Sequence, residues 1–217
     1  FNFDPLPYWR AHEAADRRGI TENLYVQGYL QYWDDLLARN PGLWIDSCAS
    51  GGRRNDLETM RRSVPLHYTD HGYGDHPVKL AFHRALYEWI PYFKESTISW
   101  DVGTSAGDRW DRQLDSYSFH CAMAPMLFVT LNIRRDDYDF ALAAKMIAIW
   151  RRASDLLLYG DYYPLTPYHR TPGQWVARQF DRPEERRGLI QAIRLPAAPE
   201  ENLVLHPESL VPDVRYR

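Results

Sequence analysis

The stretch LHYTDHGYGDH at 66–76 places His67, Asp70, His71, Asp75 and His76 within eleven positions, with Gly72 and Gly74 free to bend the chain around whatever those side chains face. Imidazole and carboxylate are both ligand types for zinc or manganese, so a metal-dependent hydrolase built on these five residues is one reading. Against it, the spacing matches neither a His-x-x-x-His helix pair nor another zinc motif, and the two glycines argue for a loop. A second stretch upstream, WIDSCASGGRRND at 44–56, has the same build: a short apolar run ending abruptly in small and charged residues. The chemistry depends on whether the fold brings the two together.

The positioning elements can be read from periodicity. Between Thr21 and Asn40, the residues Leu24, Tyr25, Tyr29, Tyr32, Trp33, Leu36 and Leu37 fall near a 3.6-residue repeat, which predicts an amphipathic helix ending before Pro41-Gly42. GLWID is too short for a helix and is bounded by glycine, so a buried strand is expected there, then a helical DLETMRR and a further strand in SVPLHYTD. Pro77 suits the first turn of another helix, with an expected apolar stripe of Val78, Ala81, Phe82, Ala85, Leu86, Trp89 and Ile90. STISW and MLFVTLNI read as strands, RQLDSYSFHCAMA as a helix, and DFALAAKMIAIWRRASDLLLYG as a long helix with a glycine stop at Gly160.

Alternating strands and helices imply parallel strands joined by right-handed crossovers. About four such units precede Gly160, whereas a complete (β/α)8 barrel takes about 250 residues. The expected fold class is therefore α/β: the C-terminal half of a (β/α)8 TIM barrel over residues 1–160. Beyond it, QWVARQF, GLIQAIRL and NLVLH alternate and are separated by turn-like DRPEERR and PAAPEE, so residues 161–217 are expected to open an antiparallel β-sandwich domain. The proline-rich DYYPLTPYHRTPG lies at the boundary. In such a barrel, chemistry sits at the C-terminal ends of the strands. Cys48 and Asp70 both follow predicted strands and would share that face.

Composition excludes several classes. With 45% hydrophobic and 25% charged residues the chain is of ordinary globular type, and a net charge of -3 gives no basic footprint for nucleic acid. Two cysteines, Cys48 and Cys121, make neither a disulfide framework nor a CxxC knuckle, and no apolar run approaches the length of a membrane span. FNFDPLPYW has no basic or apolar leader and no initiator Met, and so reads as an internal piece of a longer chain. The compartment is left open, with the cytoplasm as the default. Trp and Tyr number 8 and 15, many beside charges, as in PLPYWR, LQYWDD and ISWDVGTSAGDRW. Core and rim packing accounts for most of them, while rings beside carboxylates also suit sugars.

The segment Cys48-x-x-Gly51-x-x-Arg54-x-Asp56, followed by a strand ending in Tyr68-Thr69-Asp70, resembles the corresponding segments of glycoside hydrolase family 36, the melibiase-type α-galactosidases. FNFDP resembles the region after that family's nucleophile, and LYGDYYPL the stretch where the family leaves its barrel for a C-terminal β-sandwich. The resemblance implies a retaining mechanism with two carboxylates and no cofactor, acting on a carbohydrate.

Residue by residue, it gives Asp70 the acid/base role, for which burial among apolar or anionic neighbours would keep the carboxyl protonated. Asp75 is a nearby second acid, taken as a solvated loop residue. Asn2 matches the Asn of the family's Asp-x-Asn motif, which puts the expected nucleophile immediately before Phe1; Asp4, followed by Pro5, is out of phase. The 217 residues are thus expected to carry the acid/base half of the site. Cys48 and Gly51 match the subsite for the terminal sugar, although a free cysteine is also commonly a small buried hydrophobe. Arg54 and Asp56 are read as an ion pair supporting the loop, and Trp100, Asp101 and Trp110 as pocket-shaping or rim residues. Arg53 stands where the family commonly has a second glycine, and HGYGDHP replaces its usual Asn-Thr-Asp, so the sugar itself is not fixed. A non-catalytic sugar-binding remnant is the further alternative, and homo-oligomers are compatible with the sequence.

Overall fold

The computed structural model describes residues 4–48, 51–64, 66–70, 75–96, 114–129, 136–212 and 214–216. Two compact units make up the chain, Phe1–Asp70 and His71–Arg217.

The first unit holds helices α1 (Leu6–His12), α2 (Ile20–Arg39) and α3 (Leu57–Met60). The start of α2 is fixed from outside: Gly19 takes the left-handed conformation at φ 92°, and the Glu13 carboxylate accepts from the Gly19 and Thr21 amides at 2.8 and 2.7 Å, satisfying donors that a helix start leaves open. At its other end Asn40 donates its side-chain amide to the Leu36 carbonyl at 2.9 Å. The inner stripe of α2 is narrower than the sequence suggests. Trp9, Tyr25, Tyr29 and Trp33 form a ladder with successive ring-centroid distances of 5.2, 6.2 and 4.7 Å, while Leu24 and Tyr32 are exposed. Four-residue spacing along α2 lets Tyr25, Tyr29 and Trp33 rest on one another, and Trp9 of α1 extends the row.

The expected strands at GLWID and SVPLHYTD shrink to one parallel bridge, Asp46 with Val64. Leu43 is exposed and Trp44 is 77% exposed, so the first is not a buried strand. Burial on both faces requires continuous pairing with neighbours, and a single bridge does not supply it. Between them α3 is only one turn long, capped by Asp56, whose carboxylate accepts from the Thr59 amide and hydroxyl at 2.9 Å each.

The second unit runs α4 (His76–Trp89), β1 (Lys94–Ser96), α5 (Ser116–Cys121), β2 (Met126–Phe128), α6 (Phe140–Tyr159), β3 (Asp161–Pro164), β4 (Trp175–Arg182) and β5 (Arg187–Arg194). Strands β1 and β2 are parallel, with Lys94 opposite Met126 and Ser96 opposite Phe128. The rest of STISW and most of the end of MLFVTLNI lie outside the described residues. Strands β3, β4 and β5 form an antiparallel sheet in that order. β3 occupies the proline-rich stretch read from sequence as a boundary. NLVLH forms no strand; just beyond it the Gln179 side chain ties the chain to β4, donating to the Glu208 carbonyl at 2.8 Å and accepting from its amide at 2.9 Å.

Helix α6 ends at Gly160 as expected, but for a different reason than a left-handed stop. Gly160 has an ordinary φ of −75°; a Cβ there would lie 2.6 Å from the Leu156 carbonyl oxygen and 3.2 Å from the Phe180 Cβ. The helix end and β4 approach too closely for a side chain.

Helix α4 buries Lys79, Leu80, Ala81, His83 and Tyr87, and leaves Trp89 83% exposed. Of the expected apolar stripe Ala81 is buried and Val78, Phe82, Leu86 and Ile90 are half-buried, while Ala85 and Trp89 are exposed, because the buried face also carries charge that is paired. Lys79 Nζ donates to the Ser96 carbonyl at 3.0 Å and lies 3.7 Å from Glu95, whose other oxygen is 2.9 Å from His83 Nε2. Arg178 on β4 extends the layer, donating to the Met123 carbonyl at 3.0 Å and to Gln191 at 2.7 Å, with its guanidinium 5.1 Å over the Tyr87 ring.

Burial pushes both His83 and His76 down to about 4. Each is neutral in the folded state where the unfolded chain, titrating near 6.5, would accept a proton. Their contribution to stability is therefore complete above about pH 6.5 and declines as the pH falls toward about 4. Urea midpoints taken between pH 7.5 and 4.5 should fall across that interval, and a flat profile would contradict neutral burial of these rings.

Candidate functional site

Local hydrogen bonds draw the two chemically suggestive stretches together inside the first unit. Val64 donates to the Ile45 carbonyl at 2.8 Å and Ser47 to the Val64 carbonyl at 3.3 Å, while the Asp46 carboxylate accepts from the Leu66 amide at 3.2 Å. Past this point the 51–52 turn closes onto 68–70. Gly51 sits at φ 72°, and a Cβ on it would fall 2.7 Å from both the Asp70 nitrogen and the Thr69 Cα. A Cβ on Gly52 would run into the Tyr68 carbonyl oxygen. Left-handed backbone and close approach each favour glycine, and here both operate.

Asp70 stands at the end of this packed segment. Its side chain is 55% exposed, with Oδ1 3.0 Å from Nε2 of His67, whose own side chain is only 16% exposed. The expectation that Asp70 is buried among apolar or anionic groups is thus corrected: its carboxyl group is exposed, and a mostly buried imidazole is its neighbour. Tyr68, next along, is half-buried, and burial pushes its phenol up to about 12.

Other predicted residues take different parts. Cys48 is exposed, so it is not the small buried hydrophobe that free cysteines often are; Cys121 fits that description, with its thiol pushed up to about 12 by burial. Arg54 and Asp56 do not form the expected pair: Asp56 caps α3, and the Arg54 guanidinium lies 5.6 Å over the Tyr29 ring of α2. Asp75 is no solvated loop residue but the cap of α4, accepting from the Val78 amide at 3.1 Å. His76 packs edge-on against Tyr117 at 5.3 Å. Among the described residues no group of three or more His, Cys, Asp or Glu is arranged to hold a metal ion. Asn2, His71, Trp100, Asp101 and Trp110 lie outside the described residues.

Two participants are new. Asp46 ties the 46–48 segment to Leu66, and its visible signal was only its place at the end of an apolar run. His67 was visible solely as a potential ligand, because the contact with Asp70 depends on how the 66–70 segment turns.

No protein-family model matches the sequence, and no curated protein matches it. Solved structures do match. The galactosidase domain of an α-galactosidase–sucrose kinase aligns with a TM-score of 0.69 at 20% identity, covering 87% of this chain and 26% of that one. The GH36 α-galactosidase AgaA of Geobacillus stearothermophilus, in substituted forms, aligns in complex with raffinose (TM-score 0.69, 20% identity, 92% of this chain and 27% of that one). In complex with stachyose it aligns with a TM-score of 0.71 at 18% identity, again over 92% and 27%. The structure is therefore an α/β arrangement similar to part of the GH36 α-galactosidases, and it spans about a quarter of their length.

Proposed function

We propose that these residues belong to a retaining α-glycosidase of α-galactosidase type, and that Asp70 is its acid/base carboxyl. On this reading residues 1–160 form the C-terminal half of a (β/α)8 barrel and residues 161–217 begin an antiparallel β domain. The observation that supports it most is the fold likeness to GH36 α-galactosidases over 92% of the chain, together with an exposed Asp70 carboxylate whose backbone lies against the Gly51 turn.

The chemistry has two displacements. In the first, a carboxylate attacks the anomeric carbon; its C–O bond forms as the glycosidic C–O bond breaks, and the Asp70 proton passes to the departing oxygen. In the second, Asp70, now ionised, takes a proton from water as the water oxygen replaces the carboxylate on the anomeric carbon. The reading assigns the attack to an aspartate standing immediately before Phe1, where the motif matched by Asn2 requires it. Cys48 and Gly51 would border the terminal sugar. An exposed thiol and a turn without side chains leave room there for hydroxyl groups. Raffinose-type α-galactosides are the substrate class.

The test is stereochemical. A polypeptide that includes the sequence ahead of Phe1 is incubated with raffinose, and the anomeric proton of the released galactose is followed by NMR. The α-anomer should appear first and then equilibrate. First appearance of the β-anomer would exclude double displacement, and binding without any release would identify a sugar-binding remnant.

A further inference from the structure

We propose that His67 is a positioning residue for the acid/base step, holding Asp70 through Oδ1 so that Oδ2 is the oxygen that carries and delivers the proton. The inference rests on the acid/base reading of Asp70.

The argument starts from the contrast in burial. Asp70, at 55% side-chain exposure, has no enclosure to fix its two side-chain torsions, and a general acid must be held at hydrogen-bond reach of the leaving oxygen. His67, at 16%, is fixed by packing, and its Nε2 lies 3.0 Å from Asp70 Oδ1. The backbones are constrained as well: the Gly51 turn presses on Thr69 and Asp70, and the Gly52 turn on Tyr68, so the chain between imidazole and carboxylate has little freedom.

With Nε2 protonated, His67 donates to Oδ1 in both states of Asp70. When Asp70 is neutral its proton is confined to Oδ2, the oxygen left free for the substrate. When Asp70 is ionised after the first displacement, the same N–H···O contact keeps Oδ2 aimed at the incoming water. His67 itself gains or loses no proton in either step.

A positioning role has a signature that loss of structure does not share. Substrates with poor leaving groups depend on the acid, while an activated aryl galactoside departs without it. In the polypeptide that includes the upstream sequence, His67→Ala should lower kcat/KM for raffinose about 30-fold, a part of the ~10²–10⁴-fold that the general acid itself supplies, and lower it less than ~3-fold for 2,4-dinitrophenyl α-galactoside. His67→Gln keeps an N–H donor at similar reach and should recover most of the loss on raffinose. Equal losses on both substrates, or no loss on either, would overturn the proposal. Asp70→Ala run alongside separates the failures: if it shows the leaving-group dependence and His67→Ala does not, only the positioning role is lost; if Asp70→Ala lacks it, the acid/base reading falls and this inference with it.

Discussion

Alanine at position 70 is expected to lower kcat/KM for raffinose by about 10²- to 10⁴-fold, the range that a positioned general acid contributes. The fold should be almost indifferent to the change. Asp70 is more than half exposed and its side-chain partner is His67, so unfolding free energy should move by no more than about 0.5 kcal/mol, as for surface substitutions in general. That separation of activity from stability makes the variant diagnostic. Azide should restore turnover on an activated aryl galactoside, because the anion attacks a glycosyl-enzyme without needing a base, and the product should be an α-galactosyl azide. Full activity in the variant would remove Asp70 from the chemistry.

The largest effect on stability is expected at Glu95. Lys79 and His83 are completely buried, and Glu95 is the acceptor that both approach, at 3.7 and 2.9 Å. Burial alone would raise the Glu95 carboxyl, but Lys79 and His83 hold it below the usual range, so it is ionised at neutral pH. Glu95→Ala removes the carboxylate that faces a fully buried ammonium, and breaking a buried ion pair costs about 3–5 kcal/mol. A typical domain has only ~5–15 kcal/mol in total. Denaturant unfolding followed by tryptophan fluorescence should show a midpoint lowered accordingly. Pairing Glu95→Ala with Lys79→Met should recover part of the loss, since the second change removes the other charge of the broken pair; no recovery would mean that the cost comes from somewhere other than Lys79.

Much of the helical framework was legible in the sequence because periodicity and punctuation agree there. The 20-residue helices α2 and α6 are close to where spacing and the Pro41-Gly42 and Gly160 stops put them. Strands β4 and β5 follow from alternation on either side of a charged turn. The errors have physical reasons. In α4 the apolar pattern pointed to a face with Trp89, but a helix face can be buried on charge when the charge is paired, and that pairing depends on Glu95 and Arg178, which are distant in sequence. β3 was hidden by Pro164 at its end and the further prolines that follow it. At the candidate site, the residue types of Asp70, Cys48 and Gly51 were enough to draw attention, whereas the His67 contact and the Asp46 brace arise from local turns that no spacing rule encodes; the capping role of Asp56 was legible as an Asp just ahead of a helical run.

The Gly51–Gly52 turn also supplies a filter for recognising functional equivalents where overall identity is near 20%. A homologue that varies Arg53, the α3 turn or the sequence of residues 71–74 still presents a carboxylate in the same place. One that keeps the aspartate but carries any larger residue at position 51 or 52 must pull the 68–70 segment away, and its aspartate then stands elsewhere.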